Sequence, residues 1–172
     1  MKKNIILLIM IIVFGAVCFY LGNTFDLAET KNYYIEQGYS FKAPNGWTET
    51  NELGTTAFLN EAEDNGDNPF KSYIFFVKDS LLGRTSEQYF EYIKRNIEEN
   101  SESVEILEEK DEGSFHIIYL KTVQGEVGYI VAMAFLPGAN DTYSIVSLNT
   151  LEAELETTRP VFEETYRSFS LR

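Results

Sequence analysis

The sequence predicts an α+β protein with a mainly antiparallel sheet, helices on both faces of that sheet and one N-terminal transmembrane helix. Three observations support this fold class. Segments with strand-like and helical periods follow one another in the order strands, helix, strands, helix. Short polar turns join several of the strands, which favours antiparallel neighbours. An uninterrupted apolar run stands near the start of the chain.

The apolar run covers Ile5–Leu21 and contains 17 residues without a charge. A helix of this length is about 26 Å long, close to the ~30 Å hydrocarbon core of a bilayer. Lys2 and Lys3 precede the run and acidic residues follow it, which predicts a cytoplasmic N-terminus and an external C-terminal domain. We therefore expect a single-pass protein of the cell membrane, anchored by Ile5, Leu8, Ile11, Phe14, Tyr20 and Leu21.

Two other fates of the apolar run remain open. Ala16-Val17-Cys18 is a poor version of the small-x-small pattern at which signal peptides are cleaved. Cys18 could also carry a lipid, although Val17 and Gly15 reverse the order of residue sizes usual before a lipid-bearing cysteine. Because Cys18 is the only cysteine, a disulfide within the chain is excluded. We interpret the run as an uncleaved anchor.

The predicted organisation is an anchor at 1–22, a tether at 23–37 and one folded domain at 38–172. All 27 acidic residues and 12 of the 14 basic residues follow the apolar run, so the external part carries an excess of 15 negative charges. This charge argues against nucleic acid as a partner, since phosphates require clustered Lys and Arg. It also argues against docking on anionic lipid headgroups.

The first part of the domain predicts three strands. Tyr39–Ala43 alternates apolar and polar residues, as a half-buried strand does, and ends at the turn Pro44-Asn45-Gly46. Trp47 is then expected in the core. Thr55–Leu59 and Lys71–Lys78 predict a hairpin with a long acidic tip.

The middle of the domain predicts one helix followed by four strands. Thr85–Asn100 has helical spacing, with an apolar stripe and a capping box formed by Thr85 and Gln88. Val127–Leu136 is apolar on both faces and is therefore expected in the middle of the sheet. The stripe consists of Tyr89, Phe90, Ile93 and Ile97, and the other strands are expected at Val104–Lys110, Ser114–Val123 and Thr142–Asn149.

The chain is expected to end in a helix. Pro160 fits the first helical turn, with Thr158 as the candidate cap. Leu151–Leu155 is interpreted as a short preceding turn. The buried stripe of this helix is expected to consist of Val161, Phe162, Tyr166 and Phe169.

Two short motifs resemble the PsbP-like domain family. Gly38–Trp47, which contains YSFKAPNGW, is similar to the opening of these domains, and Tyr166–Phe169 is similar to the close of their last helix. The order of elements between the motifs also fits, so the resemblance covers roughly Gly38–Leu171. The resemblance implies an α/β/α sandwich with a non-enzymatic role in binding or assembly outside the membrane. It does not imply a photosynthetic role, because the predicted tether is acidic, whereas the N-terminal segment of PsbP is basic.

The best candidate site is the acidic hairpin tip, at Glu61, Glu63, Asp64 and Asp67. Ca²⁺ binds several oxygen ligands on a tight, glycine-containing loop, and this tip is a loop of that kind. An EF-hand register that starts at Glu61 nevertheless places Ser72 where a bidentate glutamate is required. The same residues fit a solvated turn, so a Ca²⁺-responsive surface module is an alternative function. No other cofactor is expected.

The sequence contains no motif typical of an enzyme. His116 is the only histidine, and it lies in a predicted strand without a nucleophile motif beside it, so we interpret it as structural. Acidic residues are too numerous for any carboxylate pair to be informative, and a carboxylate-dependent hydrolase is a further alternative. We expect a membrane-anchored extracytoplasmic binding or assembly-assisting domain whose partner is another extracytoplasmic or membrane protein.

Overall fold

The computed structural model describes residues 32–35, 39–51, 55–63, 68–100, 103–138 and 141–171. The helices are α1 (Ser86–Asn100) and α2 (Leu155–Arg167), and a 3₁₀ turn at Glu152–Glu154 precedes α2. The strands are β1 (Asn32–Ile35), β2 (Tyr39–Lys42), β3 (Thr48–Thr50), β4 (Ala57–Leu59), β5 (Tyr73–Ser80), β6 (Val104–Glu112), β7 (Phe115–Gln124), β8 (Val127–Pro137), β9 (Thr142–Leu151) and β10 (Ser170–Leu171).

Among these residues the strands form two antiparallel sheets. The main sheet has the order β3–β4–β5–β9–β8–β7–β6, and a small sheet has the order β1–β2–β10. The expected α+β class with a mainly antiparallel sheet is therefore confirmed. β8 lies between β7 and β9, as its two-sided apolar pattern predicts. Gly125 has a φ of +66° in the tight turn before β8, a conformation that favours glycine.

The two faces of the main sheet carry separate core clusters. The first cluster packs under α2 and includes Tyr119 of β7, Val146 of β9 and Phe162 of α2. Its other part lies under the small sheet, because Phe41 of β2 stacks on Phe76 of β5 with ring centroids 3.8 Å apart. We call this side of the sheet the α2 face. Trp47 is buried in the same cluster, as expected.

The second cluster packs under α1, on the side of the sheet that we call the α1 face. Phe90 of α1 contacts Phe135 with centroids 5.1 Å apart, and Tyr89 contacts Tyr143 at 5.2 Å. The predicted capping box is confirmed: the Gln88 backbone N–H donates to Thr85 Oγ1 at 3.2 Å, and the Thr85 N–H donates to Gln88 Oε1 at 3.0 Å. Helices therefore lie on both faces of the sheet.

The predicted start of the last helix is wrong. Helix α2 begins at Leu155, so Pro160 lies inside it and Thr158 is not its cap. The physical reason is that the 3₁₀ turn leads directly from β9 into the helix. The hydroxyl of Thr158 instead donates back to the Glu154 carbonyl at 2.8 Å. A proline at this position leaves one helical carbonyl without its usual N–H donor.

Three short strands were not predicted as strands. They are β1, which lies in the range expected to be a tether, β3 and β10. Each is four residues or shorter, so it offers too few alternations for a two-residue period to be recognised. The small sheet depends on pairing between distant parts of the chain, since β10 follows α2 and returns to pair with β2.

Candidate functional site

Within the predicted acidic tip, the structure describes Glu61 and Glu63, whereas Asp64 and Asp67 lie outside the described residues. Glu61 is exposed, but Glu63 is buried. The backbone N–H of Ser72 donates to Glu63 Oε2 at 2.5 Å, and the Ser72 hydroxyl donates to Glu63 Oε1 at 2.7 Å. Both carboxylate oxygens of Glu63 thus accept hydrogen bonds from Ser72, the residue before β5.

This carboxylate begins a chain of buried hydroxyl groups on the α2 face. Ser72 Oγ lies 2.7 Å from Thr150 Oγ1 at the end of β9. Thr158 Oγ1, in α2, lies 3.3 Å from Thr150 Oγ1. The Lys71 ammonium also donates to the Glu63 backbone carbonyl. Glu63 therefore connects the hairpin tip to the first turns of α2, a role that its acidic surroundings in the sequence did not indicate.

The Ca²⁺ hypothesis stays a prediction. Among the described residues, no group of three or more His, Cys, Asp or Glu side chains could hold a metal ion. Two of the four predicted ligands, Asp64 and Asp67, lie outside that part of the chain. Glu63 is buried, and each of its carboxylate oxygens accepts a hydrogen bond from Ser72.

A network of ion pairs joins α2 to β6 at one edge of the sheet. Lys110 Nζ lies 3.0 Å from Glu163 and 3.1 Å from Glu112. Arg167 pairs with the same two carboxylates, through Nε to Glu112 at 2.9 Å and through NH2 to Glu163 at 3.0 Å. Arg159 pairs with Glu108 at 2.7 Å. Edge strand β6 is thus held onto α2 by three cations and three carboxylates.

The network shifts the titration of its own members. The hydrogen bond from Arg167 lowers the pKa of Glu112 to about 2. Partial burial alone would raise the pKa of Glu163, but the hydrogen bond from Lys110 and the charge of Arg167 outweigh it and lower this pKa. Burial raises the pKa of Tyr119, whose ring lies under the Arg159 guanidinium at 4.3 Å. These carboxylates are ionised and paired at neutral pH, which favours a structural role over proton transfer.

His116 lies on the α1 face of β7. Its Nδ1 is 2.6 Å from Asp111 Oδ1, and its ring stacks on Phe90 with centroids 4.9 Å apart. This position between a helix and a surface carboxylate fits the structural interpretation made from the sequence.

One apolar stripe of the α1 face belongs to neither core cluster. Phe70 contacts Tyr129 with centroids 5.3 Å apart and Tyr73 at 6.1 Å, and Tyr73 stacks on Phe75 at 5.8 Å. Val77 continues the stripe along β5 and is 38% exposed. We call these five residues the β5 stripe. Strand β5 carries apolar residues on both sides, so its sequence does not indicate which side is covered less.

The predicted anchor residues Ile5, Leu8, Ile11, Phe14, Tyr20 and Leu21 all lie outside the described residues. In the part of the chain that the structure describes, no helix has the length and apolar character needed to cross a membrane.

Comparisons with known proteins place the fold. No family model matches the chain, and no curated protein matches its sequence. Similar solved structures include CyanoP, the PsbP of Synechocystis sp. PCC 6803, with 17% identity, a TM-score of 0.53 and coverage of 88% of this chain and 99% of CyanoP. LpqN of Mycobacterium tuberculosis, described as involved in cell envelope biogenesis, has 10% identity, a TM-score of 0.56 and coverage of 83% and 90%.

A Pseudomonas aeruginosa protein of unknown function, suggested to be a regulator, is also similar, with 12% identity and a TM-score of 0.60 over 84% of this chain and 99% of that one. Identities this low show the fold alone. The chain thus has a PsbP-like fold, as its two short motifs implied.

Proposed function

We propose that this chain is a non-enzymatic binding or assembly-assisting domain, held on the outer side of the cell membrane by its N-terminal apolar run. The fold supports the proposal, because the similar proteins include a cyanobacterial PsbP and a protein involved in cell envelope biogenesis. The apolar run Ile5–Leu21 and the two lysines before it support the location. The partner would be another extracytoplasmic or membrane protein.

The observation that carries the proposal is the β5 stripe. Aromatic side chains are enriched where proteins bind one another, because they bury large areas with few rotatable bonds. In the stripe, Phe70 packs edge to face on Tyr129 and Val77 is exposed on the same face of β5, whereas Tyr73 is only 6% exposed. The neighbours of two stripe residues on β9 carry no charge, since Phe75 pairs with Ser147 and Tyr73 pairs with Asn149.

The ion-pair network also favours binding over catalysis. Glu112 is paired with both Lys110 and Arg167, and the hydrogen bond from Arg167 lowers its pKa to about 2. A general base needs a free lone pair near a substrate and a pKa close to the working pH. A role as a hydrolase would require other residues to supply that group.

Site-specific photo-crosslinking in the native cells tests the proposal. A photoreactive amino acid at Val77 should give one reproducible adduct with an envelope or membrane protein. The matched control is Lys78, the next residue of β5, which is exposed on the opposite side of the strand. The adduct should be absent at Lys78 and lost when Phe75→Glu is added.

Equal labelling at Val77 and Lys78, or no adduct at Val77 in a folded and membrane-bound protein, would contradict the proposal. Cell fractionation of the same samples tests the location separately. If the protein is recovered in the soluble cytoplasmic fraction, the anchor and the outer location are wrong, whatever the crosslinking result.

A further inference from the structure

The turn between β5 and α1 displays an apolar side chain in an unusual backbone conformation. Leu82 is 71% exposed and has a φ of +54°. Residues other than glycine rarely adopt positive φ, and a bulky side chain there is strained. Strain of this kind persists only where surrounding contacts impose it, and it points to a role for the displayed residue.

Asp141, the residue before β9, imposes this conformation. Its backbone carbonyl accepts the Leu81 N–H at 3.0 Å, and its carboxylate accepts the Gly83 N–H at 3.3 Å. The Leu82 N–H donates to Ser80 Oγ at 3.1 Å. Asp141 itself has a φ of +59°. Hydrogen bonds on both sides of Leu82 therefore fix the turn and leave its side chain in solvent.

Arg84, two residues after Leu82 in the same turn, packs its side chain over an aromatic ring. The Arg84 guanidinium carbon is 4.7 Å from the centroid of the Tyr92 ring, and Tyr92 is 40% exposed. We call Leu82, Arg84 and Tyr92 the turn patch. A protruding aliphatic residue, a tyrosine and a long basic side chain are the combination that membrane–water interfaces favour, because each buries an apolar part and keeps a polar end in water.

We propose that the turn patch rests on the outer leaflet of the bilayer that holds the N-terminal anchor, with Leu82 inserted between the lipid headgroups. This inference rests on the proposed function. Ten residues, 22–31, separate the apolar run from β1. Such a segment spans at most about 35 Å, so the domain stays within reach of the membrane surface.

Tethering makes a small apolar contact sufficient. A domain on a short linker meets the adjacent surface at an effective concentration in the millimolar range, so one inserted leucine can hold its orientation. The acidic excess of the external part opposes electrostatic attraction to anionic lipids. The contact is therefore expected with uncharged, zwitterionic lipid, through Leu82 rather than through charge.

Depth-dependent quenching in vesicles tests this inference on the full chain. Cys18→Ala removes the only cysteine, and Leu82→Cys and Val123→Cys then give single sites for an environment-sensitive NBD label. Val123 is the matched control, because it is 53% exposed and lies at the other end of the sheet. Each protein is reconstituted in phosphatidylcholine vesicles, with and without headgroup-nitroxide lipid, and aqueous iodide is added separately.

The label at Leu82 should be quenched severalfold more by the nitroxide lipid than the label at Val123, and less by iodide. A third labelling site tests the role of the unaltered Leu82 side chain. A label at Tyr92→Cys should be quenched by the nitroxide lipid, and adding Leu82→Asp should abolish this quenching. Equal quenching at Leu82 and Val123 overturns the inference, as does a Tyr92 label that ignores Leu82→Asp. Protection of Leu82 from iodide in native membranes but not in vesicles would indicate a protein contact and would also overturn it.

Flotation of the same samples separates the two proposals. If the chain floats with the vesicles but the Leu82 label is not quenched, the turn patch is wrong and the anchor stands. If the chain does not float, the anchor itself is wrong.

Discussion

The two faces of the main sheet are built by the same strands, yet they are covered to different extents. On the α2 face, α2 and the small sheet together bury Ile74 and Phe76 of β5 to 0% and 3% exposure. On the α1 face of the same strand, Phe75 is half-buried and Val77 is 38% exposed. The comparison teaches that an apolar strand predicts two packing surfaces but not whether the chain supplies enough elements to cover both.

The largest expected effect comes from replacing each of two neighbouring phenylalanines of β5 by alanine. Phe76→Ala should lower the free energy of unfolding by about 3–5 kcal/mol, because it opens a cavity in the covered core. Phe75→Ala should cost about 1–2 kcal/mol, since only part of its ring is removed from water. Urea unfolding followed by the fluorescence of Trp47, the only tryptophan, measures both. Equal losses would show that the α1 face is as well covered as the α2 face.

The buried hydroxyl chain on the α2 face gives the next effect. Glu63→Ala leaves the Ser72 N–H without its acceptor and should lower the free energy of unfolding by about 1–3 kcal/mol. The exposed Glu61→Ala is the control and should change it by less than about 0.5 kcal/mol. If the two variants behave alike in thermal unfolding, Glu63 does not connect the hairpin tip to the core.

The ion-pair network predicts sensitivity to acid on the α2 face. Because the pKa of Glu112 falls from the usual 4.5 to about 2 in the folded protein, its contribution is present above pH 4.5 and is lost as the pH falls towards 2. Glu112→Gln should lower the free energy of unfolding by about 1–2 kcal/mol at pH 7. The difference from the unaltered protein should vanish in acid.

Glu109, on the α1 face of the same strand, is the control. It forms a single pair with Lys94 at 2.5 Å, so Glu109→Gln should cost less than about 1 kcal/mol. Unfolding midpoints of Glu112→Gln, Glu109→Gln and the unaltered protein, measured from pH 7 to pH 2.5, test this difference. A gap between Glu112→Gln and the unaltered protein that stayed constant with pH would count against the assigned pairing.

The smallest effect is expected at the turn beside the α1 face. Leu82→Gly removes an exposed side chain and relieves its positive φ, so it should change the free energy of unfolding by less than about 0.5 kcal/mol. Leu82→Ala removes nearly the same side chain but keeps the strain, and it should be the less stable of the two. A large loss in either variant would mean that Leu82 packs within the domain instead of facing outwards.

The sequence predicted most elements because their signals are local. The capping box of Thr85 and Gln88 and the two-sided apolar pattern of β8 each act within about ten residues, and both are confirmed. The α2 start at Leu155 was missed because a proline near the start of a helix commonly marks its first turn, whereas here the 3₁₀ turn sets the boundary earlier.

What the sequence determined by itself was the set of strands and helices that have enough residues for a clear period, together with the acidic charge and the apolar run. Only the tertiary structure decided that Glu63 turns inwards to Ser72 and that β10 returns to pair with β2. It also decided that the β5 stripe lies outside both cores. The reason is physical: periodicity reports which side of a segment is apolar, but burial depends on partners far along the chain, and a single sequence does not encode those pairings locally.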